Sequence, residues 1–185
     1  MIQPLIDRLD AAAAPVIGTL MRVTFAATLA SYFWASAVTK IDGVGLSING
    51  YAQILPRAME AVNYDAAQLG VFHAGVVAAG TAAEFVLPAL ILLGLLTRPA
   101  ALAMIGFVVV QTLTDLIGHG ALGQPETLGA LFDRVPDSPI LDQRLLWVTL
   151  LAALVLTGPG PLSLDRLFAR RIARTGRQSQ TARVV

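Results

Sequence analysis

Residues 71–96 read VFHAGVVAAGTAAEFVLPALILLGLL, and the fold turns on that stretch. It is longer than the roughly 20 apolar residues that carry a helix across a bilayer, and its sole formally charged residue is Glu84. Hydrocarbon offers no partner to backbone N–H and C=O groups, so a segment of this kind has to be helical there. After it, Thr97-Arg98-Pro99 reads as a tight turn, because proline disfavours helix in the residue before it. Ala100–Ile117 follows at once as a further span and loses apolar character through Gln111, Thr112, Thr114 and Asp115. Upstream, Val16–Thr39 is a third segment of the same kind. Arg22 stands near its entering end, within snorkelling reach of the headgroups. Tyr32, Phe33 and Trp34 followed by Lys40 mark its exit, since amphipathic aromatics and a cation suit the interface. A shorter run, Leu145–Thr157, is extended back to Leu141 so that Asp142 and Arg144 sit at the interface; Gly158-Pro159-Gly160-Pro161 ends it. The expected fold is all-α: a four-transmembrane-helix bundle with short interfacial helices.

Composition agrees. Of 185 residues, 56% are hydrophobic and 14% charged, with a mean hydropathy of +0.70. A soluble domain carries about 25% charged residues, so this chain lacks the groups to cover a water-facing surface. The length fits one domain. It divides into an N-terminal interfacial segment (1–15), the membrane domain (16–168) and a basic cytoplasmic tail (169–185). Pro15 is placed to open a new helix after the interfacial segment. Ala58–Leu69 is read as a short surface helix, and Ser163 as the cap of a last amphipathic helix. The first fifteen residues carry Asp7 and Asp10 and have no signal-peptide pattern, so the first span is expected to act as its own insertion signal. The chain contains no cysteine, which excludes disulfides, thiol redox chemistry and Cys-ligated metal or iron–sulfur sites.

The basic residues orient the chain. Arg8, Arg98 and the run Arg166, Arg170, Arg171, Arg174, Arg177 and Arg183 fall on one side of a four-span topology, and Lys/Arg-rich flanks are cytoplasmic. Both termini are therefore expected in the cytoplasm. Beside an apolar segment, such a tail faces the lipid bilayer and not nucleic acid.

Glu84 is the residue that most needs a reason. A carboxylate near the bilayer centre costs several kcal/mol unless partners inside the bundle compensate it. At helical spacing it shares a face with His73, Val77, Thr81 and Pro88, and Pro88 frees its carbonyl from the usual helical bond. It is either a ligand or proton site, or a hydrogen-bond knot that orders the helices. On the next span Gln111, Asp115 and His119 recur every four residues and form one polar row. Six groups are expected to converge in the outward half: Trp34, Lys40, His73, Glu84, Asp115 and His119. Asp115, His119 and Lys40 can equally be solvated helix ends. Thr24, Thr28, Tyr32 and Ser36 form a row suited to close helix packing. Two histidines at matched depth raise the question of haem, but loose histidines at helix ends do not make a bis-His site. No phosphate-binding glycine loop, nucleophile elbow or zinc motif is present, and no metal site is expected.

Three stretches together resemble the DoxX family of small bacterial membrane proteins: Arg22 with SYFWASAVTK; Glu84 with LPALILLGLLTRPAAL; and TGPGPLSLDRL, with Gly158, Gly160, Ser163, Leu164 and Asp165. IGHG around His119 is similar to a His-containing stretch in some members. The resemblance implies a four-helix fold in a bacterial inner membrane. It also implies an association with membrane oxidoreductases, the family name deriving from a subunit associated with thiosulfate:quinone oxidoreductase. In that reading the chain is a redox-associated subunit that binds a quinone or other lipophilic molecule near Glu84. Glu84 or Asp115 would exchange protons, His73 or His119 would donate hydrogen bonds, Tyr32 or Trp34 would stack on the ring, and Lys40 would line the pocket. A protein partner or a homo-oligomer is expected. The alternatives are a non-enzymatic scaffold for a soluble enzyme and a small transporter.

Overall fold

A computed structural model of the chain describes residues 2–181, with side chains as far as Ile172. Helix α1 spans Gln3–Thr39, 37 residues interrupted only by a π-helical turn at Ala26–Ala30. A two-residue hairpin follows, β1 (Ile41–Asp42) antiparallel to β2 (Gly45–Leu46), with Ile41 opposite Leu46. Short helices α2 (Ile48–Ile54) and α3 (Pro56–Ala61) and a 3-10 turn at Ala66–Gln68 lead into α4 (Val71–Leu93). Helix α5 (Thr97–Gly118) ends in a second π-helical turn, Thr114–Gly118. After a 3-10 turn at Ala121–Gly123 come α6 (Pro125–Leu128), α7 (Leu141–Thr157) and α8 (Leu164–Thr181). Met1 and residues 182–185, the last part of the expected basic tail with Arg183, lie outside the described residues.

Helices α1, α4, α5 and α7 run alternately up and down. They pack as a ring in which α1 and α5 each touch both α4 and α7. Phe25, Phe33, Ile91, Met104, Val108, Leu151 and Leu154 fill the centre. Phe33 lies at its heart, with the rings of Tyr32, Phe107 and Trp147 5.1–6.0 Å away and edge-on to it, a geometry aromatic quadrupoles favour. Three of these helices, α1, α4 and α5, are long and apolar enough to cross a membrane. The fourth, α7, has 17 residues and rises about 26 Å, a few ångströms short of the ~30 Å hydrocarbon layer.

The two ends of the bundle differ. At the end that holds the α4–α5 turn, the guanidinium of Arg22 does not snorkel. It donates to the carbonyls of Ile91 (3.0 Å), Leu92 (2.6 Å), Pro159 (3.1 Å) and Leu162. Those carbonyls come from the last turn of α4 and from the segment after α7, where helix ends leave acceptors unpaired. Asp165 completes the knot: its carboxylate accepts from Leu96 N–H (2.7 Å), Thr97 N–H (2.9 Å) and the Thr97 hydroxyl (3.0 Å). Gly18 is pressed against this segment, and a Cβ there would collide with the Gly158 carbonyl. The three stretches that carry the family resemblance thus meet in one place.

Several expectations need correction. The α4–α5 turn is made by Gly94 and Leu96, both left-handed (φ +65° and +48°), and Thr97-Arg98-Pro99 already lies in the first turn of α5. Pro15 starts no new helix. It sits inside α1, and Thr19 Oγ1 donates to its carbonyl (2.8 Å). The surface helix expected at Ala58–Leu69 is cut short: α3, opened by Pro56, ends at Ala61, Asn63 and Tyr64 turn left-handed (φ +49° and +62°), and only the 3-10 turn Ala66–Gln68 follows. The Ser163 cap is present, accepting from Arg166 N–H (3.2 Å).

Candidate ligand-binding cavity

Helix α1 stops at Thr39, and Lys40 folds back over the preceding turn. Its ammonium donates to Ser36 Oγ (2.7 Å) and to the Ser36 carbonyl (3.2 Å). It stands 2.8 Å and 3.1 Å from the two carboxylate oxygens of Glu84, which also accepts from Ser36 Oγ (3.3 Å). Lys40 and Glu84 are 3% and 4% exposed, so this is a buried ion pair of the kind that survives only when each charge has close partners. Gly50 allows it: α2 crosses directly over Lys40, and a Cβ at Gly50 would stand 3.1 Å from the Lys40 carbonyl. Trp34 is engaged nearby, its indole N–H donating to the Phe85 carbonyl of α4 (3.1 Å).

A second ion pair joins α5 to α7. Asp115 contacts Arg144, whose side chain is 10% exposed. Asp115 lies in the π-helical turn, which closes with an i→i+5 bond from His119 N–H to the Thr114 carbonyl (3.0 Å). π-Turns are rare and often mark functional positions; this one supplies the acid. One turn earlier Gln111 Nε2 donates to the Tyr32 hydroxyl (3.2 Å). His119 Nε2–H donates to the Gln53 carbonyl of α2 (3.1 Å). Three buried atoms in this group have no hydrogen-bond partner: Nε and Nη1 of Arg144 and Oε1 of Gln111.

Both pairs open onto one cavity of about 720 Å³ between α1, α4 and α5, closed at one corner by Arg144 of α7. Tyr32, Lys40, Glu84, Asp115 and His119 all line it, with Ser36, Gln53 and Gln111; the apolar part of the wall includes Leu87, Ala103, Gly106 and Phe107. Trp34 and His73 are not on this wall. His73 packs its ring edge-on against Phe72, and its Nδ1 is buried without a partner. The two histidines therefore do not face one shared ligand position. Two cations and two carboxylates border the cavity, so its formal charge balances.

The DoxX family model matches residues 13–119. The chain belongs to the DoxX family. It is a multi-pass integral membrane protein, as its apolar helices require. Comparison with curated proteins and with solved structures returned no match. The matched segment runs from the middle of α1 to His119, so it contains every cavity residue except Arg144.

Arg144 is the member of this DoxX cavity that sequence reasoning placed elsewhere, at the interface. The signal was present: an arginine inside the first turn of one apolar helix and an aspartate inside the last turn of another form a natural pair. Gln111 was seen as part of a polar row, but its orphaned oxygen depends on how α1 and α5 pack.

Proposed function

We propose that this DoxX protein is a four-span subunit of a bacterial inner-membrane redox assembly, with both termini cytoplasmic, and that its cavity binds a quinone or a closely similar neutral lipophilic carbonyl compound. One observation carries the reading. Partnerless donors on Arg144 and a partnerless acceptor on Gln111 lie on the wall of a charge-balanced, largely apolar cavity. Buried polar atoms without partners cost about 1–3 kcal/mol each, and a ligand that satisfies them recovers that energy. The donors suit a carbonyl oxygen and the acceptor suits a hydroxyl, which are the oxidised and reduced forms of one quinone head group. Charge balance favours a neutral head over an anion or a cation. The volume lies within the ~300–1,000 Å³ range of small-molecule sites.

In this reading the Tyr32 ring borders the head group, and His119 and the Lys40 ammonium shape its polar end. Glu84 and Asp115 are the groups available for proton exchange. Reduction of a quinone to a quinol takes two electrons and two protons, and the electrons come from a redox partner protein. Helix α7 is the fourth span, its interfacial first turn tucked in by the Asp115–Arg144 pair.

The test is purification in mild detergent, followed by solvent extraction and absorbance scanning. Near-stoichiometric quinone is expected in the wild type, and at least a tenfold loss in Arg144→Gln. A wild-type preparation that neither carries quinone nor takes it up from added lipid overturns the proposal. Reporter fusions that place the two chain ends on opposite faces overturn the topology.

A further inference from the structure

The loop end of the cavity is covered. Ile54 of α2 packs on Gly80 of α4, where a Cβ would stand 3.0 Å from Ile54 Cδ1, and Pro56 packs on Gly118 in the same way at 2.6 Å. Beside them the exposed His119 and Gln53, both on the cavity wall, are joined by a hydrogen bond. Helix α2 therefore sits like a plug between the hairpin and the end of α5. The side of the cavity is not covered. Ala79, Ala103 and Val110 line it while exposed on the outer surface of the bundle, Val110 at 62%. Gly106 lines it too, and a Cβ there would meet nothing within 4 Å. These residues lie within α4 and α5, both long and apolar enough to cross a membrane. Farther in, on the same wall, is the nine-tenths-buried Arg144 with its partnerless donors.

We infer that the ligand enters from the bilayer, through the seam of small residues between α4 and α5, and binds with its head group at Arg144 and Gln111 and its tail lying in the seam beside Gly106. The ligand class is then a bilayer-dissolved amphiphile and not a water-borne metabolite. The chemistry of the head group rests on the function proposed above, whereas the route rests on the geometry of the seam. The arrangement keeps the tail in hydrocarbon throughout, so nothing apolar has to cross water on the way in. Small residues at a helix–helix seam usually bring backbones together. Here Gly106 both lines the cavity and has open space over it, as a passage would need.

The chain has no cysteine, so a single introduced thiol reports its own surroundings. Ala83→Cys, on the cavity wall, is made in the full-length protein and reconstituted in phospholipid vesicles. Its labelling by membrane-dissolved pyrene maleimide is compared with labelling by a charged, water-borne methanethiosulfonate. Each rate is normalised to Asp133→Cys in the exposed loop. The lipophilic reagent is expected to be favoured at least tenfold, and adding Gly106→Leu should slow it at least tenfold. Gly75→Leu, equally free of steric conflict but away from the cavity, should leave the rate unchanged. The inference is overturned if the charged reagent reaches Ala83→Cys as fast as the loop control, or if Gly106→Leu has no effect. Val76→Cys, on the same wall, serves if Ala83→Cys does not assemble. Quinone retention measured on the same vesicles separates the two ideas: a lateral route with no quinone bound removes the head-group assignment and leaves the route standing.

Discussion

Substituting Lys40 by Met isolates the energetics of the buried pair. Methionine keeps the unbranched stem and removes the charge, leaving Glu84, 4% exposed, with only the Ser36 hydroxyl 3.3 Å away. At the observed 2.8 Å separation the gross attraction is about 6 kcal/mol for an effective dielectric of ~20. Most of it offsets the desolvation of the two ions, so the pair's net worth is small. Removing one partner uncovers the desolvation cost of the other, about 3–5 kcal/mol. Lys40→Met and Glu84→Gln should each lose stability on that scale. The double variant should lose no more than about 1–2 kcal/mol, because a neutral pair of similar volume replaces a buried ion pair at little cost. The assay is reversible unfolding in mixed micelles titrated with sodium dodecyl sulfate and followed by far-UV circular dichroism. Strictly additive losses, with the double variant as unstable as the sum of the singles, would refute the reasoning and show that Lys40 and Glu84 do not pair in the membrane.

Three further outcomes are expected. Arg22→Lys should destabilise the bundle by about 2–3 kcal/mol in the same unfolding assay, because three ammonium donors on a point charge cannot serve four carbonyls spread over two segments; a loss below ~0.5 kcal/mol would remove the knot from the account. Gly18→Ala should lower the thermal midpoint through its collision with the Gly158 carbonyl, whereas Gly106→Ala should leave it unchanged or raise it, alanine being up to ~1 kcal/mol better than glycine in a helix. Asp165→Ala removes acceptors for two backbone N–H groups and one hydroxyl. It should cost about 1–2 kcal/mol, as lost helix caps do, with hydrogen exchange at Leu96 and Thr97 rising before the rest of the bundle.

Much of the fold was legible because a bilayer imposes a length. Val71–Leu96 announced a span through its run of apolar residues, and the observed helix, Val71–Leu93, ends where Gly94 takes a left-handed conformation. Helix α7 begins at Leu141, the position to which the fourth segment was extended, where Ser138 Oγ accepts from the Asp142 N–H (3.2 Å) and the Asp142 carboxylate accepts from the Ser138 N–H (3.0 Å). The site was legible only in part. Tyr32 and Lys40 from α1 and its end, Glu84 from α4, and Asp115 and His119 from the end of α5 share the cavity because helical spacing puts each on the flank that faces it. Trp34 and His73 were read at the same depth, but depth does not set rotation about the helix axis, and neither lines the cavity. Arg22 and Arg144 were both assigned to headgroups by rules that treat each helix alone. What they do depends on which carbonyls and carboxylates the neighbouring helices present, and no single-helix pattern contains that.

The length of α1 has a consequence for what lies outside the membrane. A rod of 37 residues reaches about 55 Å, nearly twice the hydrocarbon thickness. The Arg22 knot ties that rod to the last turn of α4 and to the segment after α7. About twenty residues precede it, enough to carry the exposed apolar edge of Ile2, Leu5 and Leu9 some 20–30 Å along or beyond the surface. The first helix is thus also a spacer of set reach, and a partner docked on its leading edge would stand at that distance from the bundle.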